Sequence, residues 1–176
     1  MYTEKEIHII KHTLLKTFDD GEVEYVLTAC QKLGLDLIAK QIYATKRKDK
    51  FGNVNIALVT SINGLRTIAE STGEYEGQTQ VKYYDENGVG NIVWLEKSKP
   101  PWAAEVGIYR KGFRDAVYAT ALSKSYAQTT QDGKWTKFWA TMPEVMIAKV
   151  AEAAALRKAF PQKIGQLYIA EEVEKN

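Results

Sequence analysis

Apolar residues recur at helical spacing in the first part of the chain. One stripe follows Thr3, and Glu6 lies three positions later, a spacing that predicts a capping box at the helix start. A second stripe follows Asp20, the predicted N-cap, and stops at Gly34, a typical helix end. The two stripes consist of Ile7, Ile10, Leu14 and Leu15, and of Val23, Val26, Leu27, Cys30 and Leu33.

The pattern then changes to short runs rich in β-branched and aromatic residues. Residues 41–45 and 55–59 predict a β-hairpin, with the basic segment 46–53 as its turn and Gly52 for the reversal. Thr60 or Ser61 is the predicted cap of a third helix that stops at Gly73.

Four further runs predict a β-meander over residues 79–84, 91–96, 102–110 and 116–121. Residues 124–138 are polar and predict irregular structure with a turn at Asp132-Gly133. A long helix is expected from Pro143 to Phe160. The order αα, ββ, α, β-meander, α predicts an α+β fold, with an antiparallel hairpin and meander packed against helices. At 176 residues the chain is expected to be one domain.

Charge alternates along the chain although the net charge is only +2. Residues 37–70 hold six basic and two acidic side chains, and residues 101–168 hold ten basic and five acidic ones. The blocks between and around them are acidic. Charge alone favours solvated faces of mixed sign, and the same alternation is also compatible with a protein that binds a polyanion and contacts its own copies.

Common catalytic and cofactor motifs are missing from the sequence. It contains no G-x-x-x-x-G-K-[ST], G-x-G-x-x-G, G-x-S-x-G or H-E-x-x-H pattern. Cys30 lies on an apolar stripe and is expected in the core, and His8 and His12 are expected at the surface. We therefore expect a binding protein and not an enzyme, without cofactor or metal. With no apolar run of membrane length and no secretory signal, we also expect a cytoplasmic location.

Three stretches have residues suited to nucleic acid. The hairpin turn concentrates Lys46, Arg47, Lys48 and Lys50, and such cations can bind phosphates without reading sequence. Residues 108–114 interleave aromatic residues with Arg110, Lys111 and Arg114, a combination that can stack bases and bind phosphates. A solvated turn and a half-buried strand are the ordinary alternatives for these two stretches.

The third stretch is the last helix, where Lys149 falls on the apolar side and Arg157 lies at its edge. A lysine in that position requires an anion or access to water. A surface pair between Lys149 and Glu152 is the simpler alternative. The alanine run around them would let another element approach closely, a neighbouring subunit included.

Several motifs in order resemble the phage recombination protein Bet family, the Redβ/RecT-like single-strand annealing proteins. The resemblance runs from about residue 20 to residue 168. Its motifs are Leu33-Gly34-Leu35 with Ala39-Lys40-Gln41-Ile42-Tyr43-Ala44, Ile62-Asn63-Gly64-Leu65-Arg66 with Thr72-Gly73-Glu74-Tyr75, Tyr109-Arg110-Lys111-Gly112-Phe113, and the stretch from Trp139 through Met142-Pro143 and Leu156-Arg157-Lys158 to Pro161.

The resemblance implies an ATP-independent protein that coats single-stranded DNA and anneals it to its complement. It also implies homo-oligomeric rings or helical filaments, with single-stranded DNA and the nascent annealed duplex in a basic groove shared by subunits. The matching groove positions are Lys40, Lys50, Arg110, Lys149 and Arg157, together with Trp139 before the last helix. Local charge adds Lys46, Arg47, Lys48, Lys111 and Arg114.

The chain also departs from the family pattern. Asp36-Leu37 stands where members often have Asn-Pro, and residues 115–122 differ from the usual strand. The chain stops soon after the core, so the C-terminal region that binds a phage exonuclease and host single-strand binding protein is expected to be absent or truncated. The alternative function is a non-annealing module that binds and protects single-stranded DNA.

Overall fold

The computed structural model describes residues 2–96 and 99–173, which fall into two compact units divided between Ile68 and Ala69. The fold is α+β with antiparallel sheets, as the sequence predicts. In these described residues, no helix is both long and apolar enough to span a bilayer.

The first unit begins with two capped helices, α1 (Glu4–Thr13) and α2 (Asp20–Leu33). Thr3 and Glu6 form the predicted capping box of α1. The cap of α2 is Asp19 and not the predicted Asp20, because the side chain of Asp19 accepts the N–H of Glu22 and Glu22 reaches back to Asp19. Gly34 ends α2 in the left-handed conformation, with φ of 67°.

Cys30 is fully buried on the apolar face of α2, as predicted. Burial raises the pKa of its thiol to about 11, and nearby Asp36 contributes to the same shift. The thiol is therefore neutral and inert around neutral pH, as expected for a core residue.

The hairpin follows as β1 (Ile42–Lys48) and β2 (Val54–Thr60), which pair antiparallel from Ile42 with Thr60 to Lys48 with Val54. Both strands extend further towards the turn than predicted, because Lys46 and Lys48 continue the ladder opposite Ile56 and Val54. Helix α3 (Ile62–Ser71) comes next, and its cap is Ser61, whose hydroxyl accepts the N–H of Gly64.

The second unit is built on one five-stranded sheet whose central strand is β6 (Ala103–Arg110). One edge of β6 pairs with β3 (Tyr75–Gln78) and then with β4 (Lys82–Tyr84), which pairs in turn with β5 (Gly90–Asn91). The other edge of β6 pairs with β7 (Val117–Leu122). The sheet is antiparallel as predicted, but its order is not that of a meander, because β4 pairs with both β5 and β6, and β5 and β6 do not pair in the described residues. The strand predicted over residues 91–96 is wrong, since pairing stops at Asn91.

Four helices complete this unit: α4 (Ser123–Tyr126), α5 (Lys137–Thr141), α6 (Pro143–Ala159) and α7 (Pro161–Ile164). The long helix α6 packs on β6 and β7 and buries Ile147, Val150 and Leu156. Its alanines at 151, 153, 155 and 159 are buried as well, so the backbone of α6 lies close to its neighbours. The sheet and α6 therefore form the core that positions the site residues of this unit.

Gly64 explains one motif of the family resemblance. A Cβ at this position would lie 2.2 Å from the Gln41 carbonyl oxygen and 2.7 Å from a methyl carbon of Thr60. The backbone of α3 therefore passes directly beside the start of β1, and no side chain fits between them. The same carbonyl of Gln41 accepts the N–H of Ser61, which fixes the approach.

We expect Gly64→Ala to lower the free energy of unfolding by about 2 kcal/mol, because overpacking against backbone forces the helix away from the hairpin. Urea denaturation measures this change. Gly21→Ala is the matched control, since a Cβ there meets only ordinary contacts and alanine favours a helix. Equal stability of the two variants would contradict the close approach at Gly64.

Candidate nucleic-acid interface

The hairpin cluster, defined as Lys46, Arg47, Lys48 and Lys50, is distributed over β1 and its turn. The prediction that all four occupy the turn is wrong, because Lys46, Arg47 and Lys48 lie on the strand. Side chains alternate along a strand, so Arg47 points to the face opposite Lys46 and Lys48. Cations therefore emerge on both faces of the hairpin end.

Asp49 lies between Lys48 and Lys50 in the sequence, and its carboxylate forms hydrogen bonds within the hairpin turn. Its carboxylate accepts the backbone N–H of Phe51 at 2.8 Å, and the backbone and side-chain N–H groups of Asn53 at 2.9 Å each. These hydrogen bonds, that of the Asn53 side chain foremost, lower the pKa of Asp49. The carboxylate thus stays ionised to lower pH while it fixes the turn between the cations.

The members of the hairpin cluster differ in their partners. The Nζ of Lys46 lies 2.6 Å from a Glu22 carboxylate oxygen and 5.1 Å from the centre of the Phe18 ring. Lys50 lies over the exposed ring of Phe51. Within the described residues, neither Lys50 nor Arg47 nor Lys48 forms an ion pair with a carboxylate, so these three remain available to an external anion.

Lys40 is the one non-glycine residue with positive φ, 56°, in the described part of the chain. It follows a turn in which the Asp36 carboxylate accepts the N–H groups of Ile38 at 2.7 Å and Ala39 at 3.3 Å. The Asp36 side chain thus closes this turn. The turn holds Lys40 exposed at a strained backbone position.

In the second unit, the β6–β7 cluster consists of Tyr109, Arg110, Lys111, Phe113 and Arg114. Arg110 is engaged internally. Its guanidinium lies 2.7 Å from a Glu74 carboxylate oxygen, donates to the Ala159 carbonyl, and is 5.2 Å from the ring centres of both Phe113 and Phe160.

Lys111 and Arg114 are exposed, and neither pairs with a carboxylate of the described residues. Tyr109 and Phe113 beside them are also exposed, Phe113 at 54%. The end of β6 and the turn after it therefore contain two free cations and two exposed aromatic rings within six residues, and such side chains can bind phosphate and stack a base.

Both predicted cations of α6 are paired with the segment after α7. Lys149 Nζ lies 2.8 Å from a Glu171 carboxylate oxygen, and Arg157 binds the Glu172 carboxylate through two nitrogens. The alternative pair between Lys149 and Glu152 is wrong, because the ammonium group is bound by Glu171. The anion that the apolar position of Lys149 requires is thus supplied by the chain itself.

Trp139 lies on α5 and is fully buried. Its indole Nε1 has no hydrogen-bond partner among the described residues. The ring has no face open to a base in this arrangement, and its predicted contact with DNA stays a prediction.

The sequence analysis did not identify the carboxylates that form salt bridges with the predicted cations. They belong to Glu22, Glu74, Glu171 and Glu172. The net negative charge of residues 169–176, next to a basic stretch, was a signal for the last two. Within each unit the structure thus divides the predicted cations into a free set and a paired set.

We expect Arg110→Ala to lower the free energy of unfolding by about 1–2 kcal/mol, since it leaves Glu74 and the Ala159 carbonyl without a charged partner. Lys111→Ala, the neighbouring control, should change stability by less than about 0.5 kcal/mol. Thermal and urea denaturation of both variants measure the difference. Similar stability of the two variants would contradict a structural role for Arg110.

Comparison with known proteins places this arrangement in a family. No curated protein matches the chain. The family model described as RecT family matches residues 1–176, the whole chain, and confirms the resemblance to RecT- and Bet-like phage recombination proteins. The chain therefore belongs to the RecT family, whose members anneal complementary single strands of DNA in recombination.

Proposed function

We propose that this protein binds single-stranded DNA through its exposed cations and anneals it to a complementary strand without ATP. The observation that supports this most directly is the set of basic side chains that no carboxylate of the described residues neutralises. Among the predicted DNA contacts these are Lys40, Arg47, Lys48 and Lys50 in the first unit, and Lys111 and Arg114 in the second. Free cations bind phosphates at the least energetic cost, because no internal partner has to be displaced.

The chemistry of these positions suits strand pairing. Cations contact the sugar-phosphate backbone, which leaves the Watson–Crick edges of the bases available. Exposed Tyr109 and Phe113 can stack bases without distinguishing among them. A bound strand can then sample a second strand, and sequence specificity comes from base pairing and not from the protein.

No covalent step is needed for this process. Complementary strands gain stacking and hydrogen-bond energy as they pair, and the protein lowers the repulsion between their phosphates. The absence of a P-loop motif from the sequence accords with an ATP-independent reaction.

Assembly of many copies is the second part of the proposal. In the connection between β5 and β6, the side chains of Ile92, Val93, Leu95 and Trp102 are exposed. Apolar surface of this kind is typical of protein contacts. We infer that copies of the chain associate into a ring or helical filament on DNA, with the two units of each copy acting as one DNA-binding and oligomerisation domain.

The proposal is tested by annealing in buffer without ATP or divalent metal. One labelled oligonucleotide is incubated with the protein, its complement is added, and pairing is followed by fluorescence transfer while light scattering reports assembly. We expect faster pairing than without protein, and large assemblies. Tight binding with slowed pairing would instead identify a protective single-strand binding module.

We expect the triple variant Arg47→Ala/Lys48→Ala/Lys50→Ala to bind single-stranded DNA more weakly, with a shallower salt dependence. Each lost phosphate contact removes about 0.7 from the slope of log K against log salt, so the slope should fall by about 2. Fluorescence anisotropy at several salt concentrations measures both quantities.

The matched control is Lys5→Ala/Lys16→Ala/Lys32→Ala, which removes three exposed cations of the same unit outside the hairpin. We expect the control to retain the slope of the unmodified protein. Equal loss of slope in both triple variants would show that only total charge matters, and would overturn the assignment of the hairpin.

A further inference from the structure

We propose that residues 167–173 form an internal competitor of DNA, in which Glu171 and Glu172 occupy phosphate positions on α6 and leave when single-stranded DNA binds. This inference rests on the proposed function, and it adds regulation to the same site. It arises because the two predicted DNA contacts of α6, Lys149 and Arg157, are both bound by carboxylates of one short segment.

The geometry of these pairs is the geometry of phosphate binding. Arg157 holds Glu172 through two parallel contacts, one of them 2.8 Å from Nη1 to the carboxylate, and a guanidinium binds a phosphate in the same forked manner. Lys149 binds Glu171 as a point charge at 2.8 Å. Two neighbouring anions on one chain thus occupy two cations of one helix.

Burial makes the two states mutually exclusive. The Arg157 side chain is 14% exposed and that of Glu172 only 3%. The ring of Tyr168 also covers the guanidinium, since the Arg157 Cζ atom lies 4.9 Å from the centre of that ring. A DNA phosphate can reach Arg157 only after this segment has moved.

Most contacts that hold the segment are side-chain hydrogen bonds, which water or DNA can replace. Besides buried Ile169, which is a β-bridge residue, and a backbone hydrogen bond from the Leu167 N–H to the Ile164 carbonyl, it is held through side-chain hydrogen bonds. Arg157 donates to the Leu167 carbonyl, and Gln128 donates to the carbonyls of Ala170 and Val173. Its residues belong to no helix and to no named strand, so we expect its release to leave the five-stranded sheet and α6 in place.

The test uses Glu171→Gln/Glu172→Gln in the full chain and an oligothymidine probe. We expect the variant to bind about five- to tenfold more tightly at low salt, because DNA no longer competes with two carboxylates. The gain should shrink as salt rises, since salt weakens the internal pairs as well. Glu24→Gln/Glu76→Gln, which removes two exposed carboxylates, is the matched control and should change affinity less than twofold.

Hydrogen exchange gives a second measurement on the unmodified protein. The Ile169 N–H donates to the Glu172 carboxylate at 3.1 Å, so release of the segment exposes it. We expect exchange over residues 167–173 to accelerate when the probe is bound. Slower or unchanged exchange with bound probe would overturn the proposal.

The outcomes separate this inference from the proposed function. If neither protein binds the probe, single-strand binding itself fails. If both bind it equally and exchange does not accelerate, DNA binding stands and the competitor is refuted. If the double variant no longer unfolds cooperatively, the affinity test uses the single variant Glu171→Gln. This variant breaks only the more exposed pair, that with Lys149. Its affinity and the hydrogen exchange of the unmodified protein then decide the test.

Discussion

A cation on a packed helix needs an anion, and the second unit is organised around this requirement. Helix α6 buries most of its surface against the sheet and its neighbouring helices, yet it includes Lys149 and Arg157. Burying an unpaired charge is far more costly than burying an apolar side chain, so each cation must be matched. Glu171 and Glu172 satisfy them, and Glu74 does the same for Arg110 at the end of β6. Arg110 therefore joins the start of β3, the end of β6 and the end of α6, while Lys149 and Arg157 join α6 to the segment after α7.

The same requirement distinguishes buried cations, which are paired, from exposed cations, which need no carboxylate partner. Lys111 and Arg114 lie within a few residues of Arg110, yet only Arg110 is bound by a carboxylate of the described residues. Sequence proximity alone places all three in one basic patch. The structure separates Arg110, which joins structural elements, from Lys111 and Arg114, which face solvent. The same separation holds on the hairpin, where Lys46 contacts Glu22 and Arg47 does not.

Local features of the fold could be predicted from the sequence, and long-range ones could not. The capping box at Thr3, the helix end at Gly34 and the hairpin depend on neighbouring residues, so their patterns are visible in a single chain. The strand predicted over residues 91–96 failed because an apolar run does not reveal whether a partner strand exists. The pairs of Arg110, Lys149 and Arg157 join residues 36, 22 and 15 positions apart, and no periodicity indicates them. The sequence singled out these cations, but only the three-dimensional structure shows which of them are paired with a carboxylate.

The buried thiol of Cys30 has a consequence for how copies of this chain can associate. It is the only cysteine in the chain, and with a pKa of about 11 it is almost entirely protonated at neutral pH. A protonated, inaccessible sulfur cannot form a disulfide with another copy while the unit stays folded. The assembly proposed above would therefore contain no disulfide between folded copies, and its stability would not depend on the redox state of the surroundings.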